Sequence, residues 1–349
     1  MFKGCFRVSL RRRLLGWGLG PLLALTAALG APGAAEARCL GRDMMSDLRV
    51  SDPSAHKEIL ARAKAVANGS GRFWEVRAPG VAPSYLYGTL HSTEAAERGL
   101  LPAAREALSQ ARVLMVELTP TEQKRLEKRL TTDPSYAIQR SGPTLSQRLS
   151  ADERALAEGV LSSRGLSLAA AEKLKPWLIV SMIAVPRCEQ AEIAAGRPVL
   201  DDAIATLARE RGIPVLGLET YEETFRAFDG LTDAEMTGLL VDGFSAAHRE
   251  EDLRRTLEEL YARGEIAAIT EFNVWFAENT GAVAEPRAGA EALQRALIGD
   301  RNHLWMDRIV PEIAKGGVFA AFGALHLPGA DGMVTLLRLA GFSIRRHTH

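Results

Sequence analysis

Ser84-Tyr85-Leu86-Tyr87-Gly88-Thr89-Leu90-His91 and Gly317-Val318-Phe319-Ala320-Ala321-Phe322-Gly323-Ala324-Leu325-His326 share one pattern: an apolar run, a glycine, a small residue, Leu and His. Each run has the length of a buried strand, and its glycine permits a tight turn or a close backbone approach just beyond. Ahead of the first run, Phe73 to Arg77 alternates and Ala78-Pro79-Gly80 turns the chain, which predicts a hairpin. Downstream, Pro102 to Ala111 reads as a helix and Val113 to Leu118 as a short buried strand ending at Pro120. A helix from Asp202 to Arg211 then leads through Gly212 to Pro214-Val215-Leu216-Gly217-Leu218-Glu219. After the second histidine, Leu327-Pro328-Gly329 continues the loop, Met333 to Ala340 makes a helix, and Phe342 to Arg345 a last strand.

Strands that alternate with helices predict an α/β fold. The sheet is expected to be mixed, with a parallel part, and built from two similar strand–Gly-x-x-His–helix–strand halves. Apolar periodicity elsewhere is helical, over about 121–130, 151–186, 232–262, 265–277 and 288–315. The expected organisation is one domain over 38–349, with helical insertions at about 121–200 and 230–315 forming a cap. No short-period repeat interrupts it.

Four strand segments end on polar residues: His91, Glu117, Glu219 and His326. In open α/β sheets the carboxyl ends of strands are where sites are built. Only seven histidines occur in the chain, and two of them share one context, which points to a shared site. Paired imidazoles with nearby carboxylates support two chemistries. His91, His326 and Glu117 can hold a divalent metal that activates water, with N/O ligation suiting Zn, Mn, Co or Fe. Alternatively, a histidine is the general base of a metal-free reaction and a carboxylate fixes its tautomer. Neither a His-Glu-x-x-His helix nor a Gly-x-Ser-x-Gly elbow is present, which removes the corresponding metalloprotease and serine-hydrolase readings. Asp201 reads as an N-cap for the helix starting at Asp202 ahead of a ligand role, and Glu258-Glu259 as a solvated helix face.

The chain has 349 residues, with 43 Lys and Arg against 43 Asp and Glu, a balance that argues against nucleic-acid binding. The positive charge is uneven. Lys3, Arg7, Arg11, Arg12 and Arg13 precede the apolar stretch Leu14 to Leu29, and Ala35-Glu36-Ala37 follows as a small-x-small cleavage pattern. Residues 1–37 therefore read as a cleaved secretory signal peptide, and the mature chain as mildly acidic and exported, periplasmic or secreted. No later apolar run has the length of a membrane span. With Cys5 removed, Cys39 and Cys188 are the remaining pair, and an oxidising compartment favours a disulfide between them.

Gly88-Thr89-Leu90-His91 and Gly323-Ala324-Leu325-His326-Leu327-Pro328-Gly329 resemble the two Gly-x-x-His motifs of the TraB/GumN family, which includes the Tiki metalloproteases. Leu200-Asp201-Asp202 with Pro214 to Thr220 resembles its central "LD … GLET" segment. Asp300-Arg301-Asn302 resembles its "RN" element, and Val116-Glu117-Leu118 its first acidic strand end. The likeness runs from about residue 39 to 345. It implies a fold related to the erythromycin-esterase and haem-uptake ChaN-like group, with a helical cap over an α/β core. It further implies His91 and His326 as ligands or bases, and Glu117 and Glu219 as ligand or water-activating groups. Arg301 and Asn302 would hold the substrate or an oxyanion. The resulting expectation is an exported, metal-dependent hydrolase of the peptidase type, using Mn, Co or Zn on a peptide or small-molecule substrate. Two alternatives stand beside it: a non-catalytic peptide- or signal-binding protein, and a metal-free, esterase-like hydrolase.

Overall fold

The computed structural model describes residues 39–280 and 286–347. The expected signal segment lies outside the described residues. Six strands form one mixed sheet: β1 (Phe73–Arg77), β2 (Ser84–Thr89), β3 (Val113–Val116), β4 (Val215–Gly217), β5 (Val318–Gly323) and β6 (Ser343–Arg346). Their order across the sheet is β4-β3-β5-β2-β1-β6. Phe73 pairs antiparallel with Tyr87 in the hairpin, and β6 pairs antiparallel with β1 on its other side. The other four strands run parallel, with Val116 opposite both Ala321 and Gly217, and Gly88 opposite Phe322. A parallel sheet is covered on both faces, which is why β3 and the run Val318 to Phe322 are wholly buried apolar residues.

Alternate side chains along the strands enter two cores. Tyr87, Leu114, Val116, Phe319 and Ala321 face one layer, contributed by the helices Met44–Ser51, Pro53–Ala65, Pro102–Ser109, Leu200–Glu210, Glu250–Arg263 and Ile266–Thr280. Leu86, Val113, Met115, Val318, Ala320 and Phe322 face the other, contributed by Asp300–Ile313 and Met333–Leu339. Two further clusters join Pro120–Thr132, Ala151–Ser162, Pro176–Ile183, Tyr221–Asp229 and Asp233–Ala246 into a separate helical group. The helices of 230–315 are thus shared between this group and the two layers on the sheet. The helix expected over 151–186 is interrupted, because Gly165 adopts a φ of 74° and Pro176 opens a new helix.

Cys39 and Cys188 form a disulfide across 149 residues of sequence, as the oxidising-compartment reading anticipates. A link of this kind contributes about 2–4 kcal/mol, largely by restricting the unfolded chain. Among the described residues, no helix is long and apolar enough to cross a membrane.

Gly88 shows why the first motif needs a glycine. A Cβ there would stand 2.6 Å from Leu327 Cδ1 and 2.9 Å from Ala324 Cα, both in the loop of the second motif. Close approach of the two motifs, not a left-handed turn, is the requirement. Gly88→Ala is expected to cost about 1–3 kcal/mol by overpacking. Gly238→Ala, where nothing lies within 4 Å on a helix, should instead stabilise by about 0.5–1 kcal/mol. Urea midpoints of the two variants check the contrast, and a neutral Gly88→Ala would sink it.

Candidate functional site

The sheet order places β4, β3, β5 and β2 side by side, so Glu219, Glu117, His326 and His91 leave its carboxyl edge as a row. Local sequence explains each departure. After β3, Glu117 and Leu118 precede Thr119, which caps the helix Pro120–Thr132, with proline at its first position. After β4, Leu218 and Glu219 precede Thr220, which closes a capping box with Glu223 at the start of Tyr221–Asp229. Glu219 N also donates to Glu117 O at 3.1 Å, which locks the two acidic corners together. His326 closes a short 3-10 turn, Ala324–His326, directly after β5.

Arg301 occupies the centre. It arrives on Asp300–Ile313 immediately after a π-helical turn, Arg295–Gly299, a distortion that recurs at functional sites. Its Nη2 donates to Glu117 Oε2 at 2.7 Å and to Glu219 Oε1 at 2.6 Å, while Nε reaches Glu219 Oε2 at 3.0 Å. Nη1 donates to Leu297 O at 2.9 Å and lies 3.3 Å from His326 Nε2. Glu219 is further held by Thr224 Oγ1 at 2.7 Å and Trp305 Nε1 at 2.9 Å. Glu117 Oε1 accepts from Gly323 N at 2.7 Å, so the glycine of the second motif also feeds the acidic cluster. Burial would raise the Glu117 carboxyl, but Arg301 and His326 outweigh it and hold it down at about 2. The two carboxylates push the Arg301 guanidinium above its ordinary range.

The two histidines are set in opposite protonation states. His326 is buried and stacks on Trp305 at 4.3 Å between ring centroids. Its Nδ1 lies 2.6 Å from Asn302 Oδ1, while Asn302 Nδ2 donates to His326 O and Asp331 O. With the amide nitrogen committed to two carbonyls, Oδ1 is the acceptor, so His326 carries its proton on Nδ1 and presents a lone pair at Nε2. Burial, with Arg301 alongside, pushes its pKa down to about 3. His91 has 43% of its side chain open to solvent, and its Nδ1 lies 2.8 Å from Asp201 Oδ2. The other oxygen, Asp201 Oδ1, accepts from Thr89 Oγ1 at 2.6 Å. That carboxylate raises His91 to about 9, and water at the open face of the ring screens part of the attraction.

The predicted residues therefore divide as follows. Glu117, Glu219, Arg301 and His326 form one bonded cluster; Asn302 orients His326 from behind; His91 stands beside them within electrostatic reach of Glu117. Asp201 is not the N-cap expected of it, since Val199 holds that position and the Asp201 side chain serves Thr89 and His91. Trp305 and Thr224 carried no polar pattern in the sequence that marked them. Glu258, read as solvated, is buried.

The sequence model of the TraB/PrgY/gumN family matches residues 72–346. The chain belongs to the TraB/PrgY/gumN family. That match spans all six strands and every residue of this TraB/PrgY/gumN site. No curated protein matches the chain.

Acid should loosen this centre. His326 at about 3 and Glu117 at about 2 both lie below their ordinary values of 6.5 and 4.5. The unfolded chain then binds more protons between each pair of values, and stability falls as pH drops from about 6.5 towards 2. His91, raised instead, contributes stability that is full below 6.5 and lost as pH rises through about 9. Chemical denaturation at pH 7 and pH 4 should show the loss, reduced in His326→Gln. An equal loss in that variant would remove His326 from the account.

Proposed function

We propose that this TraB/PrgY/gumN protein is an exported hydrolase that cleaves an acyl bond, of the peptide or ester type, at the carboxyl edge of its sheet. The observation that supports it is the split between its histidines: two imidazoles in one row whose surroundings drive their protonation apart, the arrangement that assigns acid and base roles. His91, protonated at neutral pH and oriented by Asp201, is the proton-transfer residue for the leaving group. Arg301, whose N–H groups are taken up by Glu117, Glu219, the Leu297 carbonyl and His326, holds the two carboxylates and the buried ring in fixed positions along that edge. Asn302 holds His326 in one tautomer. The relation of the two Gly-x-x-His halves to the erythromycin-esterase and ChaN-like group belongs to the same reading, as does export through residues 1–37.

A divalent ion, Mn, Co or Zn, on His91, His326 and Glu117 is the second reading. Both rings are tethered through Nδ1, by Asp201 and Asn302, the arrangement of outer partners that metal-bound imidazoles adopt. As the side chains stand the donors do not fit an ion. Among the described residues no three His, Cys, Asp or Glu groups gather closely enough, and Arg301 already shares Glu117 and His326.

One experiment separates these readings. Purified protein is screened against peptide and ester libraries with chelator or with added Mn, Co or Zn, and its metal content is measured alongside His91→Ala and His326→Ala. Hydrolysis that survives chelation and disappears in His91→Ala supports the first reading. Hydrolysis and bound metal lost together on chelation support the second. Peptides bound but not cleaved under any condition would overturn both in favour of a binding protein.

A further inference from the structure

The loop that follows His91 is gripped by a second buried polar cluster, outside the row of strand ends. Thr93 donates to Glu189 twice, from its backbone N at 2.7 Å and from Oγ1 at 3.0 Å. Ser92 Oγ donates to Glu258 Oε1 at 2.5 Å and accepts from Arg254 Nη2 at 3.2 Å. Arg254 completes the cluster, forming ion pairs with Glu189 and, at 2.6 Å, with Glu258. All five residues are buried.

Three buried ionisable groups are a poor way to stabilise a protein, and burial raises both carboxyls, Glu258 to about 7. Taking them out of water costs several kcal/mol per ion, and an apolar replacement of similar volume is often as stable or more so. What such a cluster supplies is a single geometry. Here the geometry is that of Ser92 and Thr93, the two residues directly after His91 and the start of the helix Thr93–Arg98. Glu189 in turn follows Cys188 on the helix Arg187–Ala194, and the disulfide to Cys39 ties the beginning of the described chain to that helix. Cys39 also lines a cavity of about 500 Å³ that Thr93 and Arg254 border, so the strap runs beside the gripped loop.

We propose that Glu189 is a positioning residue for His91, kept in register by the Cys39–Cys188 disulfide, so that formation of the bond completes the placement of His91. The two thiols exchange with an external disulfide, which takes up their two electrons and two protons and leaves as two thiols. The disulfide acts on the site through Glu189 and Thr93, without touching any of the strand-end groups. This assigns the N-terminal tether a part in assembling the site as well as in stability.

The test reads the imidazole signals of His91 and His326 by NMR in the full mature chain, each assigned by its own His→Ala variant. It needs no substrate, so its failure is distinct from failure of the hydrolase reading. Glu189→Ala is expected to shift or broaden the His91 signal while leaving His326 in place. Glu189→Gln, which keeps an acceptor for the Thr93 N–H, should restore most of it. The double variant Cys39→Ser/Cys188→Ser should move the His91 signal in the same direction as Glu189→Ala. Where a cleaved substrate is in hand, Glu189→Ala lowers kcat with KM little changed. An unmoved His91 signal in Glu189→Ala overturns the proposal, and so does an equal movement of both histidines, which would mark general loosening. A His91 signal unchanged in the double variant overturns the part assigned to the disulfide.

Discussion

Arg301→Ala is expected to lower the unfolding free energy by about 3–5 kcal/mol, the largest single-residue effect outside the apolar core. The guanidinium makes hydrogen bonds to both Glu117 and Glu219, to the Leu297 carbonyl, and lies against His326. Its removal leaves two carboxylates close together with only neutral donors: Gly323 N for one, Thr224 and Trp305 for the other. Like charges then repel in a site that water scarcely enters. Arg301→Lys should recover little, since an ammonium cannot span two carboxylates with a planar fork. Urea unfolding measures the loss. A decrease below about 1 kcal/mol would show that the carboxylates do not depend on Arg301.

On the proposed hydrolase reading, His91→Ala is expected to reduce hydrolysis by about 10²- to 10⁴-fold, the usual worth of a positioned proton-transfer group. Its pH dependence follows from Asp201. With the imidazole raised to about 9, the protonated form persists through neutral pH, and the rate should fall as pH rises through that value. Asp201→Asn removes the charge and keeps the shape, so the break should move down towards the ordinary 6.5. Initial rates from pH 5 to 10 for the two proteins provide the check. A break at the same pH in both would detach Asp201 from the site.

How much of this was legible in the chain differs by residue. His91, Glu117, Glu219 and His326 stood out because each follows an apolar strand, and short apolar runs ending in polar residues survive any uncertainty about packing. Cys39 and Cys188 stood out by elimination. Asp201 did not: an acid in the first turn of a helix reads as a cap, and only the position of β2 beside that helix brings Thr89 and His91 to it. Glu258 misled for a related reason. A charged residue on a helix reads as solvated until a partner from elsewhere, here Ser92 in the loop after β2, covers it.

The sequence by itself determined the alternation of strands and helices, the cysteine pair, and which four residues leave the ends of strands. These follow from local matters: the period of the apolar residues, the turn-forming glycines and prolines, and the count of reactive side chains. Only the tertiary structure decided that Arg301 stands among those residues, that Gly88 is needed for the approach of the second motif, and that the two histidines differ in protonation. Their similar sequence contexts concealed that difference. Protonation depends on which charges share the low-dielectric space around a ring, and Asp201 and Arg301 reach His91 and His326 from distant parts of the chain.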